Sequence, residues 1–510
     1  MRILSRPLDL GLDIRLHALA RRAQRQASAS GCPVVVNLVE PAPPLDPIAL
    51  LARAPAGLAR ALWRGVDGLV LVGLGEALKL GSPTRQTGCH RVPGGEVSLA
   101  RLAQEWRRLA DEALVDAPGD SPMLAGPLLL GGCAFDPLRP AEPSWQGFPP
   151  ARLVLPRLLL LGESDRWWLA STLVVRPGRD PAEDLEELRR LRALLLGPGT
   201  GNDAIQPVAN GRAASRRHTP ADHRAAGQAS PAVGAASPAR VELCGPECWR
   251  AMVERAIAAI RRGELAKVVL ARAVEVSGPE PVSAERALRR LAEDYPGCTL
   301  FAFGYGDAVF LGATPERLVR LRGGRVETMA LAGSIRRGAT PEEDAALADT
   351  LLASAKDRQE HAVVVNEIRA ALAPLCRALA IPEEPSLLSV RNVHHLATPV
   401  VGELAGDHTV LELVERLHPT PAVGGAPRAN ALAFIRAHEP VDRGWYAGPV
   451  GWVGRAGEGE FAVALRSGLI RGRRARLYAG CGILADSDPD AEYAESELKL
   501  QPLLRALEGA

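Results

Sequence analysis

Apolar residues run continuously, or alternate with polar ones, over 34–39, 68–72, 128–135, 153–161 and 167–175, and these runs predict strands. Helical spacing predicts helices over 99–114 and 183–196. From about Pro198 to Val241 the periodicity stops and the chain turns to Gly, Ala, Ser, Pro, Asn and Arg, the composition of a flexible linker. Beyond it the pattern predicts a helix over 248–262, a strand over 266–276 and short strands around 299–304, 308–313, 316–321 and 325–331. Thr340, Pro341, Glu342 and Glu343 form a capping box with proline at the first helical position, so a helix starts there and continues, with a break, to about Leu379. Strands over 459–470 and 475–484 and a last helix over 490–507 complete the pattern. Strands in consecutive runs, without strict strand–helix alternation, predict an α+β fold on antiparallel sheets.

The 510 residues are enough for two or three domains or one large composite domain, and 47% hydrophobic with 24% charged residues is ordinary globular composition. A net charge of +2 gives no global field for nucleic acid or an anionic membrane, so an anionic ligand needs a local site. Asp67, Glu76 and Lys79 interrupt the 65–80 apolar segment, and Asp9, Asp13 and Arg15 follow Arg2 and Arg6 before any signal-type apolar stretch. The expectation is a cytoplasmic protein with a small-molecule substrate and no nucleic-acid or membrane partner, its oligomeric state open. Of the eight cysteines only Cys244 and Cys248 lie close together, with no second pair to complete a zinc site, so reduced, mostly buried thiols are expected. The arginines of the linker have no interleaved aromatics and are diluted by Asp203 and Asp222, as in a solvated segment. The chain has no P-loop, GxSxG or HExxH, and the glycines of 71–75 do not complete GxGxxG.

Lysine usage is more telling. Of 61 basic residues only Lys79, Lys267, Lys356 and Lys499 are lysine. A lysine retained in such a chain suggests a compact point charge or a group that must lose its proton, which a guanidinium does not do. Lys267 lies in an apolar strand pattern, where burial favours a neutral amine and hence a general base; the competing reading is a strand-edge lysine reaching solvent. Asp357 with Glu360, and Glu492 with Glu495, are i, i+3 pairs on predicted helices, with Lys499 four residues past Glu495. Two such pairs facing each other would suit Mg²⁺, whereas either pair alone is also the pattern of a solvated helix surface. Glu316, after the turn-like Gly312-Ala-Thr-Pro315, and His395, His418 and Arg466 gain weight only in company.

These segments together resemble the chorismate-binding enzymes, the family of isochorismate, salicylate, anthranilate and aminodeoxychorismate synthases. The resemblance runs in order through ELAKVVLAR, FLGATPERL, LAGSIRRG, KDRQEHAVVV, HHLATPVVGEL, LHPTPAVGGAP, RGWYAGPVGW, ALRSGLI, YAGCGI and AEYAESELKL, from about Glu264 to Leu504. Gly131-Gly-Cys-Ala-Phe-Asp-Pro137 looks like the family's weaker N-terminal signature. It implies two packed antiparallel sheets flanked by helices. The expected organisation is residues 1–197 contributing to the same core, a linker over 198–242 and the catalytic region over 243–510.

The resemblance also implies roles. Lys267 matches the lysine that activates water in the isochorismate and salicylate synthases, where the amino-transferring members usually have glutamine. Glu316 matches the acid that protonates the departing C4 hydroxyl. Glu360 and Glu495 match Mg²⁺ ligands, with Asp357 and Glu492 acting through water. Tyr446, Arg466, Lys499 and the backbone at Gly480 and Gly482 match groups that hold substrate carboxylates, and His395 sits in the pocket. In the stretch Ala332, Gly333 and Ser334, Ala332 replaces the nucleophilic lysine of many aminodeoxychorismate synthases. Ser334 replaces a frequent threonine, and His394 a tryptophan common in siderophore-type members, which favours the menaquinone type. The implied activity is the Mg²⁺-dependent conversion of chorismate to isochorismate, an isomerase reaction. Salicylate synthesis with pyruvate loss, anthranilate-type amination and a silent scaffold on the same fold are the alternatives.

Overall fold

Leu62 and Trp63 are neighbours in the chain but belong to different cores, because successive strand residues point to opposite faces of a sheet. Trp63 and Leu71 join Leu130, Leu153 and Trp445 between two sheets, while Leu62 and Val72 join Leu16, Leu288 and Leu503 beneath helices. The computed structural model describes residues 10–81, 98–196, 239–389 and 393–508. Among them one sheet has 13 strands and the other 10. Pairing is antiparallel except between Val34–Ala42 and Leu114–Asp116.

Each sheet runs unbroken from one half of the chain into the other. In the larger, Thr299–Gly306 pairs with Gly57–Arg64; in the smaller, Pro449–Val453 pairs with Leu129–Cys133. The helix Pro489–Leu507 buries Ser496, Leu500 and Leu503 on the outer face of the larger sheet. The helix Ala355–Leu372 lies against Arg325–Arg336 of the smaller one.

Several predicted elements are divided by the tertiary structure. The run over 153–161 is two strands in different sheets, Ala151–Leu155 and Leu158–Glu163, parted at Pro156, which has no N–H to offer a ladder. The run over 459–470 likewise splits into Gly459–Val463 and Ser467–Arg471, in the smaller and larger sheets. The helical stretch from Thr340 is two helices, Pro341–Ala353 and Ala355–Leu372, and Ser354 caps the second. It does not reach Leu379: Pro374 has no N–H to continue the helical ladder past Ala373, and Cys376–Ala380 is a strand. The helix Leu10–Ser30 has no counterpart in the predicted pattern, because its buried face is largely alanine, at positions 20, 23 and 27.

The last residues of the expected linker are also structured. Ala239–Glu242 is an edge strand on Lys267–Ser277, tied down where Tyr493 Oη donates to Glu242 at 2.5 Å. The remainder of that segment, 198–238, lies outside the described residues. The expectation of reduced thiols fails at one pair. Cys244 and Cys248 bracket the start of the helix Pro246–Arg261, with Cα atoms 5.4 Å apart, and form a disulfide. The other described cysteines are free.

Because both sheets are stitched together from both halves, residues 239–510 expressed alone should lack a cooperative thermal transition. Co-expressed chains 1–197 and 239–510 should co-purify and show one transition. A cooperatively folding 239–510 fragment would overturn this.

Candidate active site

Two chain crossovers between the sheets lie side by side. At the first, Ala308–Thr314 of the larger sheet passes through Pro315 and Glu316 into Arg317–Arg322 of the smaller. At the second, Gly459–Val463 of the smaller sheet passes through 464–466 into Ser467–Arg471 of the larger. Thr314 braces them: its Oγ1 donates to Val463 O at 2.6 Å and accepts from Glu316 N at 3.2 Å. Val463 N donates to Glu316 O at 3.0 Å, and Ala313 N to Arg466 O at 3.2 Å. Glu316 and Arg466, 150 positions apart in the chain, are thereby fixed at one place.

The second crossover contains a left-handed residue, Arg466 at φ 48°, and its neighbour Ala447 is left-handed at φ 60°. Such conformations cost roughly 1–2 kcal/mol each for residues with a Cβ. Ala447 N donates to Ala464 O at 3.0 Å and Ala464 N to Gly448 O at 2.9 Å, so the strained segments support each other. They present Arg466 and Tyr446. The Arg466 guanidinium makes no ion pair among the described residues, yet its charge acts on Glu316, His395, Tyr446 and Glu495. Burial pushes the Glu316 carboxyl up to about 7, with Lys267, Arg466 and Lys499 opposing. Near neutrality a substantial share of it therefore still carries the proton, where an ordinary glutamate is ionised.

Lys267 heads the strand Lys267–Ser277 and is buried. It is not a solvent-reaching edge residue; its Nζ meets Glu360 Oε1 at 2.5 Å. A Cβ at Gly482 would lie 2.9 Å from Lys267 Cε and 3.6 Å from Glu360 Oε1, so glycine there makes room for the pair. On the other helix, Lys499 Nζ donates to Gly480 O at 3.0 Å and pairs with Glu495 Oε1 at 2.6 Å. Burial works against the Lys499 charge, and the neighbouring Cys481 and Glu495 raise its pKa instead. Tyr446 stacks on Tyr478 with centroids 5.1 Å apart, and its hydroxyl would be 3.5 Å from a Cβ at Gly480. Burial, with Arg466 and Lys499, pushes His395 down to about 3, so it is a neutral imidazole.

Gly333, at φ 77° in the bulge between Ala332 and Ser334, passes close to the helix Ala355–Leu372: a Cβ there would meet Asp357 Cβ at 3.1 Å. The same strand is tied to that helix by His361, whose ring nitrogens lie 3.3 Å from Ala332 O and 2.8 Å from Thr398 Oγ1. Ser334 is exposed and Ala332 buried.

The expected metal ligands divide into two groups. Glu492 and Glu495 bring carboxylate oxygens within 4.8 Å of each other and of the Cys481 thiol. Glu360 stands beside Gly482, the residue after Cys481, and is held by Lys267. Ser354 Oγ caps the helix by accepting from Asp357 N and donates to the Asp357 carboxylate. Burial, with the neighbouring Glu495, pushes Glu492 up to about 7, although Ser487 Oγ donates to it at 2.8 Å and Lys499 and Lys356 oppose the shift. The carboxylate oxygens of Glu492 and Glu495 fit a hard divalent cation such as Mg²⁺, and the Cys481 thiol beside them does not suit one. Cys481, Ser354 and Ser487 were not foreseen as neighbours of these acids. Only Cys481 lay within a motif, and nothing in YAGCGI says which way its thiol points.

A family model described as chorismate binding enzyme matches residues 21–508. The chain belongs to the chorismate-binding enzyme family. It is 38% identical over 495 residues, 96% of this chain and 94% of the relative, to the salicylate biosynthesis isochorismate synthase of Pseudomonas aeruginosa. It is 37% identical to isochorismate synthase MenF of Bacillus subtilis over 75% of each chain. The solved structure of MenF, the menaquinone-specific isochorismate synthase of Escherichia coli, superposes with a TM-score of 0.72 at 26% identity, covering 96% of this chain and 99% of that one. No helix among the described residues is long and apolar enough to cross a membrane.

In this family member the Glu316 environment has a consequence for stability. Its folded pKa of about 7 lies above the usual 4.5, so the protonated acid contributes stability that is complete below pH 4.5 and is lost as pH rises through 7. Glu316→Gln lacks that loss. Its stability relative to the parent should improve by up to about 3 kcal/mol between pH 4.5 and 7.5, read from urea unfolding at each pH. A difference independent of pH would show that Glu316 ionises normally.

Proposed function

We propose that this enzyme is a cytoplasmic isochorismate synthase, which converts chorismate to isochorismate by attack of water at C2 and loss of the C4 hydroxyl. The observation that carries the reading is a buried lysine, Lys267, acting on the same site as a buried acid pushed up to about 7, Glu316. Lysine at 267 suits delivery of water, and Ala332 leaves no amine for the aminodeoxychorismate route. The names of the relatives attach to salicylate and to menaquinone, and chorismate to isochorismate is the reaction they share.

Glu316 gives its proton to the departing hydroxyl, which leaves as water. Lys267 takes a proton from the attacking water, for which it must be neutral and free of Glu360. Arg466 and Lys499 face the substrate's carboxylates, with Tyr446 and the backbone at Gly480 and Gly482, while neutral His395 borders the pocket without adding charge. Ala332, Gly333 and Ser334 form the wall nearest Asp357. Glu360 and Glu495 would hold Mg²⁺, with Asp357 and Glu492 beside them through water, and the ion would supply positive charge at one substrate carboxylate.

The product decides among the enzymatic readings. Incubation with chorismate and Mg²⁺ followed by chromatography should end in a chorismate–isochorismate mixture. Pyruvate, followed with lactate dehydrogenase and NADH, should not form at a rate comparable to chorismate loss. Stoichiometric pyruvate with fluorescent salicylate would make it a salicylate synthase, and anthranilate on adding ammonia would remove the role given to Lys267. Lys267→Arg keeps the charge and should leave less than about 1% of kcat; activity above a few per cent would send the search for the base elsewhere.

Metal titration tests the acid pairs. Glu360→Gln and Glu495→Gln should raise the Mg²⁺ concentration for half-maximal activity by about tenfold or more, and Asp357→Asn by less than about threefold, because the Asp357 carboxylate is already engaged by the Ser354 hydroxyl. Titrations matching the parent in all three would make these residues ordinary helix charges.

A further inference from the structure

Behind Glu316 a narrow recess lies between the helix Ala355–Leu372 and the turn that follows His418. Its polar borders are Glu316, Arg317, Thr328 and Thr420, with Val364 and Ile368 among its apolar walls. Two of the four are committed elsewhere: Thr328 Oγ1 donates to Leu318 O at 2.6 Å, and Arg317 Nε donates to Glu460 Oε1 at 3.0 Å. Thr420 is 7% exposed and its hydroxyl has no hydrogen-bond partner. Glu316, 9% exposed, makes no side-chain hydrogen bond among the described residues. The recess has no room for a water molecule, so solvent does not satisfy either group from that side. A buried hydroxyl left unpaired costs about 1–3 kcal/mol, which makes its retention here informative.

We propose that Thr420 is a positioning residue for Glu316, its hydroxyl pairing with the Glu316 carboxyl as that group gives up its proton. The inference rests on the acid role given to Glu316 above. A threonine hydroxyl suits both states, since it accepts from a carboxylic acid and donates to a carboxylate. The second bond is the stronger, being charge-assisted, so it favours the ionised form. Thr420 itself is held still, because its carbonyl accepts from Val423 N at 3.1 Å and Gly424 N at 2.9 Å. The charges acting on Glu316 come from the other sides: Lys267 on its strand, Arg466 on the neighbouring crossover and Lys499 on the last helix. On the turn, burial pushes His418 down to about 3, so it is neutral and brings no competing charge. Glu360, on the helix that walls the recess, is engaged by Lys267.

Thr420→Val removes the hydroxyl at nearly constant volume, and Thr420→Ser keeps it. In Thr420→Val kcat at pH 7 should fall about tenfold with KM changed less than about twofold, and the alkaline limb of the pH–kcat profile should move up by about half a unit or more. Thr420→Ser should restore both. The carboxylic-acid C=O infrared band that Glu316→Gln removes reads the same ionisation without turnover, and in Thr420→Val it should persist to higher pH by a similar interval. An unchanged ionisation midpoint in Thr420→Val, or Thr420→Ser as impaired as Thr420→Val, overturns the proposal. A parent that converts no chorismate would defeat the assigned function, and the infrared titration would still decide whether Thr420 and Glu316 are paired.

Discussion

Thr314 Oγ1, bonded at once to Val463 O and Glu316 N, joins the two places where the chain leaves one sheet for the other. A single sheet displays side chains on two faces but does not enclose a site; a strand that continues into a second sheet turns a side chain into the space between them. Glu316 and Arg466 are both such residues. Their relative position depends on backbone hydrogen bonds between the crossovers, which are buried from competing water and hold each strand end against its neighbour. The left-handed conformations of Ala447 and Arg466 are the accompanying strain, at the point where the surrounding ladders over-determine the backbone.

Charge balance is the second constraint on the site. Lys267 is buried against Glu360 and ties the helix Ala355–Leu372 to its strand, while the half-buried Lys499 pairs with Glu495 one turn away on its own helix and reaches the strand through Gly480 O. Breaking such a pair on one side strands a charge in a low-dielectric interior. The same burial leaves Glu316 and Glu492 short of compensation, which is why both are pushed toward neutral pH. Acids pushed toward neutral pH and basic side chains are thereby collected in one place. A dianionic substrate would change this balance on entering.

The glycines of the site are steric rather than conformational in their main effect. Gly482 leaves space for Lys267, and Gly480 for the Leu270 carbonyl of the paired strand, 2.8 Å from where a Cβ would lie, and for the Tyr446 hydroxyl. Gly333 does both, being left-handed and close-packed on Asp357.

The sequence by itself determined the periodic elements, the α+β class and the residues able to carry acid, base and cation chemistry. Alternation and helical spacing are local, and a lysine kept in an arginine-rich chain is visible without a structure. The ordered motifs also placed the chain in its family, because they record which residue types recur at fixed separations. What only the tertiary structure decided is where strands change sheets. The runs over 153–161 and 459–470 read as single strands because hydrophobic alternation is the same whichever sheet a residue enters. The Lys267–Glu360 pair, the Ser354–Asp357 contact, the Cys244–Cys248 bond and the unpartnered hydroxyl of Thr420 were equally illegible. Each depends on distances between segments remote in the chain or on the path of a helix start, and a one-dimensional pattern carries no information about which buried polar groups find each other and which are left over.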